Sequence, residues 1–261
     1  MDNSPVRLNK FLAERLGISR READEAISHG KVKINGKIAV LGARIDNNDK
    51  VCYNDKTVSF ENEFLYVAMN KPVGYVCSRR AQGSAPTLYE LLPTKYQKLK
   101  TVGRLDKDSS GLILLTNDGD FAFQMTHPKF HKEKIYEVEL NKPLQPLHQQ
   151  MISDYGILLD DGPSKFTIIK NEARPSSSSD ALVPSRRHGR DFARSLPVGR
   201  AWSSEEMVEP LYTVIISEGR NRQIRRTFAA LGYRVTKLHR TNFGPYALSG
   251  LKEGNFEEFK L

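Results

Sequence analysis

Apolar side chains near the start of the chain recur at the spacing of an α-helix: Leu8, Phe11, Leu12 and Leu16. The run stops at Gly17, so a short amphipathic helix is predicted to end there. A second helix is predicted to begin at Ser19, because the Ser19 hydroxyl and the Glu22 carboxylate can cap the free amides of its first turn reciprocally. This second helix is predicted to end at Gly30.

Basic and apolar residues alternate in the next segment, 31–34, and lead into Asn35-Gly36, the dipeptide best suited to a tight hairpin turn. Residues 37–40 return as the second strand of a predicted hairpin. The chain becomes polar near 61–63, and a new apolar strand begins at 64. Residues 1–60 are therefore predicted to be a small domain made of a helix pair and a β-hairpin.

The remainder, 64–261, is predicted to be a second domain with many short strands and few helices. Strands are predicted at 64–69, 113–116, 135–140, 165–169, 211–217 and 234–238. Helices are predicted at 87–92 and 222–231. The intervals are too irregular and too rich in hairpin signals for a doubly wound parallel sheet, so the fold class is predicted to be α+β with a mixed, mainly antiparallel sheet.

One stretch, 174–206, differs from the rest in being rich in Ser, Arg, Pro and Gly. Such a composition buries too little apolar surface to offset the entropy of ordering it. We predict a flexible basic insertion. From composition, an insertion without function and an auxiliary electrostatic contact with RNA are equally good interpretations.

The overall charge favours a polyanionic partner. Lys and Arg number 40 against 31 Asp and Glu, which gives a formal net charge of +9. The two cysteines, Cys52 and Cys77, have no metal-ligand spacing, so no metal site is predicted, although a disulfide between them stays open. The sequence shows no signal peptide and no membrane span, and two isolated thiols suit a reducing compartment, so we expect a cytoplasmic protein without a membrane partner.

The densest polar signal is the segment 103–120, a polar turn that feeds an apolar run. It contains four acids, Asp106, Asp108, Asp118 and Asp120. Chemistry alone does not say which of them is functional, and Asp118-Gly119 is most simply a turn. A calcium loop starting at Asp106 is disfavoured, because its twelfth position is Asn117 instead of a glutamate and the following run is β-like instead of helical.

Two resemblances sharpen these predictions. The order Arg-Leu-Asn-Lys-Phe-Leu, Ser-Arg-Arg-Glu-Ala and Val-Lys-Ile-Asn-Gly-Lys, across 6–52, resembles the S4 RNA-binding domain. The resemblance implies that the cations of this segment contact RNA, and their positions at helix starts and a turn suit backbone and shape recognition of folded RNA. These predicted RNA-binding residues are Arg7, Lys10, Arg20, Arg21, Lys31, Lys33 and Lys37.

The segment Gly-Arg-Leu-Asp followed by Ser-Gly-Leu-Ile-Leu-Leu-Thr-Asn-Asp-Gly resembles the catalytic motif of the RsuA-like ribosomal RNA pseudouridine synthases. The resemblance implies that Asp106 is the nucleophile and that Arg104 helps to hold the place of a flipped base. The strand 134–138 resembles the one whose tyrosine, here Tyr136, packs against the target base. The segment 218–226 resembles the motif that supplies an arginine partner for the aspartate, and Lys71-Pro-Val-Gly74 matches the opening of the catalytic domain.

The residue types fit this chemistry. Pseudouridine formation breaks a carbon–nitrogen bond, rotates the uracil and joins its C5 to the sugar, which calls for a nucleophile and for retention of the free base. Arg225 is the predicted partner that keeps Asp106 charged and oriented. Ile224 lies on the apolar stripe of the same helix and is included in the predicted site, whereas Arg222 and Arg226 are predicted to contact phosphates.

We therefore predict an isomerase that converts specific uridines of ribosomal RNA to pseudouridine without a cofactor. Ribosomal RNA or an assembly intermediate is the expected partner, transfer RNA stays open as a further substrate, and a monomer is the default. The alternative is a non-catalytic S4-containing RNA-binding or ribosome-assembly factor. The covalent route, to the anomeric carbon or to C6 of the ring, and the choice between small and large subunit RNA stay open.

Overall fold

The computed structural model describes residues 5–60, 63–79, 83–171 and 211–261. The predicted insertion, 174–206, lies outside these residues. Within them the chain forms a small N-terminal unit and a larger unit built on one broad sheet. The α+β class predicted from the sequence is confirmed, and the broad sheet is mainly antiparallel.

The N-terminal unit contains two helices and several short paired strands. Its elements are β1 (Val6–Arg7), α1 (Leu8–Leu16), α2 (Arg20–Ser28), β2 (Val32–Ile34), β3 (Lys37–Ile38), β4 (Arg44–Ile45), β5 (Val51–Tyr53) and β6 (Lys56–Thr57). The strands pair in the order β3-β2-β5-β6, and β1 pairs with β4. The unit has its own apolar core, centred on Leu8, Leu12 and Val51.

Local chemistry explains these elements. Glu22 N–H donates to the Ser19 hydroxyl and Ser19 N–H donates to the Glu22 carboxylate, so the predicted capping box starts α2. Asn35 and Gly36 both have positive φ, as the tight turn between β2 and β3 requires. The helix, helix, hairpin order predicted from the sequence is confirmed.

The larger unit begins with β7 (Tyr66–Lys71) and ends with β17 (Phe256–Phe259). Between them lie β8 (Lys100–Val102), β9 (Ser110–Thr116), α3 (Gly119–Thr126), β10 (Lys134–Leu140), α4 (Pro146–Gln150), β11 (Ile157–Leu159), β12 (Gly162–Ser164), β13 (Thr167–Lys170), β14 (Leu211–Ile216), α5 (Gln223–Ala230), β15 (Val235–Phe243) and β16 (Tyr246–Ala247). Short 3₁₀ turns occupy Leu88–Leu91, Thr94–Tyr96 and Pro128–Phe130, and a π turn occupies Met151–Tyr155.

Most of these strands join one sheet in the order β13-β14-β10-β15-β9-β7-β17, with β8 on β9 and β16 on β15. The pairing of β9 with β15 is parallel, and the other pairings in this sheet are antiparallel. All seven residues of β9 are buried, as expected for a strand that is covered on both faces. The site described below lies where β9, β10 and β15 run side by side.

The structure differs from the predicted elements at several points. The helix predicted at 87–92 is a 3₁₀ turn, and β15 continues to Phe243, beyond the predicted end at 238. Asp118 does not merely form a turn, because its carboxylate accepts the amides of Asp120 and Phe121 and so caps α3. The flanking helix that a calcium loop needs is replaced by β9.

None of the helices in the described ranges combines the length and the apolar character that crossing a bilayer requires. Both cysteines are free thiols, so the disulfide that the sequence left open is not formed.

Candidate active site

The loop that carries Asp106 is held in place by a buried lysine. Lys71, at the end of β7, is fully buried, and its Nζ donates to the carbonyl oxygens of Ser109 at 2.7 Å and of Pro72 at 2.8 Å. Burial lowers the pKa of Lys71. Since these contacts go to backbone oxygens, this lysine fixes the end of the loop and the start of β9.

Two further contacts fix the middle of the loop. Gly74 N–H donates to the carbonyl oxygen of Lys107 at 2.7 Å. The Cys77 thiol donates to the carbonyl oxygen of Leu105 at 3.3 Å and lies 3.4 Å from the Leu105 amide nitrogen. The Lys71-Pro-Val-Gly74 segment and the residues after it therefore hold the backbone on both sides of Asp106.

The Asp106 side chain is one-third exposed, with a fractional accessibility of 33%. A guanidinium lies close to it, but this group belongs to Arg222: the distance from Arg222 Nη1 to Asp106 Oδ2 is 3.7 Å. Arg222 was predicted to contact phosphate. The structure instead places it at the edge of the site, beside the predicted nucleophile.

Arg225 contacts the neighbouring acid instead of Asp106. Its Nη2 donates to the carbonyl oxygen of Asp108 at 2.7 Å and its Nη1 to that of Val235 at 2.9 Å, while its Nε lies 3.3 Å from Asp108 Oδ2. The predicted ion pair between Arg225 and Asp106 is not among the pairs of the described residues. Arg225 lies behind the loop and joins it to α5 and β15.

The Asp108 carboxylate contacts the guanidinium groups of both Arg222 and Arg225. Arg222 donates to its two carboxylate oxygens at 3.0 Å and 2.9 Å, in the paired geometry that suits a guanidinium and a carboxylate. Burial opposes the ionisation of Asp108, but Arg222 and Arg225 outweigh it and hold the pKa of this carboxyl below its usual range. Asp108 therefore organises the arginines around the loop.

Arg226, the other predicted phosphate contact, is engaged by acids of the β11–β12 turn. Its guanidinium pairs with Asp160 and, at 2.6 Å, with Asp161. Arg220 also pairs with Asp161, at 2.7 Å. These ion pairs fasten the segment after β14 to the β11–β12 hairpin, which is a structural role.

A cavity of about 570 Å³ opens beside Asp106. Four of the five predicted catalytic residues line it, namely Arg104, Asp106, Tyr136 and Ile224, whereas Arg225 does not. Its volume lies within the range of small-ligand sites, and it mixes apolar walls with a few polar groups. The structure thus brings together residues that lie more than a hundred positions apart in the sequence.

The cavity is positively charged. Five basic side chains against two carboxylates leave a formal charge of +3: Arg104, Lys134, Arg220, Arg222 and Arg240 face Asp106 and Glu218. Arg104 is exposed at its rim, and Ile224 is buried in its wall. A concave surface of this charge favours an anionic ligand such as a nucleotide.

Tyr136 is 9% exposed and belongs to the main apolar core, yet it also lines the cavity. It pairs across the sheet with Val214 on β14 and with Arg240 on β15, so its backbone is fixed by a strand on either side. A ring fixed in this way presents a preformed apolar face to the cavity, at which a planar base could stack.

The predicted RNA-binding cations of the N-terminal unit fall into two groups. Arg7, Arg20, Arg21, Lys31 and Lys37 are exposed. Lys33 pairs with Asp55 at 2.7 Å, and Lys10 pairs with Asp120 on α3 at 2.6 Å. Lys10 therefore joins the N-terminal unit to the larger one, and its ammonium is not free for RNA.

Sequence reasoning did not select three cations of this site, Lys134, Arg220 and Arg240. Lys134 could have been found, since it lies two positions before Tyr136 and alternate residues of a strand share a face. Arg240 gave no comparable signal, because the predicted strand ended at 238 and nothing in the sequence shows how β15 aligns with β10.

Comparisons with known proteins agree with this architecture. Residues 65–230 match the family model described as RNA pseudouridylate synthase, and residues 6–56 match the S4 domain. The ribosomal small subunit pseudouridine synthase A of Haemophilus influenzae is 34% identical over 96% of this chain and 94% of its own length. The ribosomal large subunit pseudouridine synthase B of Bacillus subtilis is 32% identical over 97% of this chain and 91% of its own length.

A solved structure titled as that of a pseudouridylate synthase superposes with a TM-score of 0.60 at 31% identity, covering 98% of this chain and 96% of that one. The family model spans more than half of the chain, and the relatives are similar over nearly all of it. The chain therefore belongs to the RNA pseudouridylate synthase family and carries an S4 domain at its N-terminal end.

Proposed function

We propose that this protein converts specific uridines of ribosomal RNA to pseudouridine, with Asp106 as the nucleophile. The observation that carries the proposal is the cavity of about 570 Å³ that Asp106 shares with Tyr136 and Ile224. The relatives named above, one for each ribosomal subunit, support ribosomal RNA as the substrate. Because both subunits are represented at similar identity, they do not favour either one.

The reaction uses the groups of the cavity in sequence. The target uridine leaves its stack and enters, and Tyr136 packs against the ring, which repays part of the few kcal/mol that flipping costs. Stacking of this kind contributes about 1–3 kcal/mol per base. The Asp106 carboxylate then adds either to the anomeric carbon or to C6 of the ring. Arg104, at the rim, is placed to occupy the space that the base vacates.

Arg222 takes the role first assigned to Arg225. Its guanidinium lies 3.7 Å from Asp106 Oδ2, close enough to orient the carboxylate without covering both of its oxygens. Arg225 supports the loop through the carbonyl oxygen of Asp108. Isomerisation involves no net redox change, so the proposed reaction uses no redox cofactor.

The N-terminal unit supplies the docking surface. Five exposed cations there suit the phosphates of folded RNA, which set position and affinity while the cavity selects the base. In this proposal the protein acts in the cytoplasm, as a monomer, on ribosomal RNA or an assembly intermediate. Transfer RNA is a further substrate to be tested.

The test is an isomerase assay on RNA tritiated at C5 of uracil, since joining C5 to the sugar releases that tritium. We expect the wild type to release it from extracted ribosomal RNA or from assembly intermediates. Asp106→Asn should abolish release while still binding RNA. Asp154→Asn, a matched change at an exposed aspartate in the π turn, should leave release unchanged.

An inactive wild type that still binds ribosomal RNA would overturn the proposal in favour of a non-catalytic assembly factor. Activity retained by Asp106→Asn would remove Asp106 from the role of nucleophile.

A further inference from the structure

A nearly fully buried arginine forms part of the cavity wall. Arg240 is 2% exposed, and its Nε donates to the carbonyl oxygen of Leu112 at 2.7 Å. Its Nη2 is buried without a hydrogen-bond partner among the described residues. Arg240 is the cross-strand partner of Tyr136, so it lies beside the tyrosine that lines the cavity. A buried guanidinium nitrogen without a partner is costly, which calls for a reason.

A second cation lies next to it. Lys134 lines the same cavity, two residues before Tyr136 on β10. Its closest acceptors are the carbonyl oxygens of Glu218 at 3.4 Å and of Lys132 at 3.5 Å, both long for a hydrogen bond. The Lys134 Nζ lies 5.3 Å from the centre of the Phe243 ring, and the Arg240 Cζ lies 4.9 Å from the same centre.

Neither cation is neutralised by a carboxylate within the described part of the chain: the ion pairs found there involve other residues. Burial, together with the charge of Arg240, lowers the pKa of Lys134 to about 8. Glu218 only partly offsets this effect, so two adjacent cations without an ion-pair contact destabilise the empty site. Such an arrangement is suited to a ligand that brings negative charge.

We propose that Lys134 and Arg240 form a cationic pair that stabilises the target uracil while the ring carries negative charge. The inference rests on the proposed function and deepens it. Lys134 donates to a carbonyl oxygen of the base, and Arg240 is a positioning residue that fixes the local field and the orientation of the neighbouring groups. Tyr136, two residues from Lys134 on β10 and opposite Arg240 on β15, packs against the plane of the ring.

The movement of electrons during the reaction explains why positive charge is needed beside the uracil. When the bond between the anomeric carbon and N1 breaks, its electron pair leaves with the uracil and spreads over N1 and the two carbonyl oxygens. The ring stays anionic until C5 bonds to the anomeric carbon and displaces the Asp106 carboxylate, which breaks the ester between them; C5 then loses its hydrogen as a proton and N1 takes up a proton. If Asp106 adds to C6 instead, the ring pair moves toward the C4 carbonyl oxygen, so both routes place negative charge on carbonyl oxygens.

Fixed charges aimed at that position stabilise the anion more than the neutral uridine, and this difference accelerates the reaction. They also retain the detached base, since an anion held beside two cations in a concave site leaves slowly. Removing one preorganised donor of this kind typically lowers kcat by about 10²- to 10³-fold.

The test compares Lys134→Met and Lys134→Arg with the wild type in the C5 tritium assay. Lys142→Met is the matched control, since Lys142 is an exposed lysine just beyond the other end of β10. We expect Lys134→Met to lower kcat by about 10²-fold or more, with a much smaller change in KM for RNA. Lys134→Arg should restore most of the activity, and Lys142→Met should match the wild type.

The pH profile provides a readout that a merely structural lysine would not change. The charged groups that line the cavity with Lys134 are Arg104, Asp106, Glu218, Arg220, Arg222 and Arg240. Lys134 is the one amine among them. Because its charged form is required, wild-type kcat should fall as the pH rises through about 8. Lys134→Arg should abolish that fall, and Arg240→Gln should move it to higher pH.

The outcomes separate the two levels of the argument. An inactive wild type would overturn the proposed function and this inference with it. An active wild type with an unaffected Lys134→Met would overturn the inference alone. Activity that rises through pH 8 and depends on Lys134 would also overturn it, because the neutral amine would then be acting as a base.

Discussion

The change of Gly111 to alanine tests how closely two strands must approach to build the site. Gly111 lies in β9 directly opposite Arg240 of β15, in the parallel pairing of the main sheet. A Cβ placed on Gly111 would lie 2.2 Å from the carbonyl oxygen and 2.5 Å from the amide nitrogen of Arg240. Both atoms belong to the backbone, so no side-chain rotation relieves the contact. One strand must move.

The expected loss of stability has two parts. Gly111 has a φ of +105°, which an alanine adopts only with strain of about 1–3 kcal/mol. The clash adds the cost of overpacking, about 1–3 kcal/mol or more. The lower conformational entropy of alanine in the unfolded chain offsets about 0.4–1 kcal/mol. We expect Gly111→Ala to lower the free energy of unfolding by about 2–5 kcal/mol.

Gly250→Ala is the matched control. Gly250 also has a positive φ, +76°, but a Cβ there would meet nothing within 4 Å. Gly250→Ala should therefore be destabilised by backbone strain alone. The free energies of unfolding of the two variants should differ by about 2 kcal/mol, which corresponds to roughly 4–8 °C in Tm for a domain of this size. Urea or thermal unfolding measures this difference. Equal losses in the two variants would refute the close approach of β9 and β15.

Three further predictions concern other parts of the molecule. Tyr212→Phe should lower the free energy of unfolding by about 1–3 kcal/mol, because the buried Leu144 N–H donates to the Tyr212 hydroxyl at 2.8 Å and would be left without an acceptor; an unchanged urea midpoint would contradict this. Burial lowers the pKa of His239, so the unfolded chain binds the proton more readily, and the free energy of unfolding should fall as the pH is lowered below about 6.5. His239→Gln should remove that dependence in urea unfolding. Changing Arg20 and Arg21 together to Gln should reduce the slope of log K for RNA binding against log salt concentration. The expected reduction is about 0.7–0.9 for each phosphate that these arginines neutralise in the wild-type complex. An unchanged slope would place the RNA-binding surface elsewhere.

The sequence was sufficient where local chemistry decides the structure. The capping box at Ser19 and the turn at Asn35-Gly36 both form as predicted, because each depends on residues a few positions apart. The family resemblance located the loop at Asp106 and the strand at Tyr136, and both line one cavity. Whether these residues act as proposed remains a prediction for the assays above.

The sequence was insufficient where the outcome depends on tertiary geometry. Arg222 and Arg225 lie three positions apart near the start of α5. A rotation of this helix about its axis by less than one turn would change which of them reaches Asp106, and the sequence does not fix that rotation. The ion pair between Lys10 and Asp120 joins two units, so no pattern within either unit predicts it. The closing strand β17 lies on β7, which is far from it along the chain.

The distribution of arginines around the loop has a chemical reason under the proposed reaction. A carboxylate that accepts a paired guanidinium has both oxygens occupied and is poorly placed to attack carbon. Asp108 takes that role, with two hydrogen bonds from Arg222, while Asp106 keeps its oxygens accessible and lies 3.7 Å from the same guanidinium. Asp108 therefore holds Arg222 in place by hydrogen bonds, whereas Asp106 lies close to the Arg222 charge without a hydrogen bond to it. This division of roles orients Asp106 without losing its nucleophilic oxygen to a hydrogen-bonded pair.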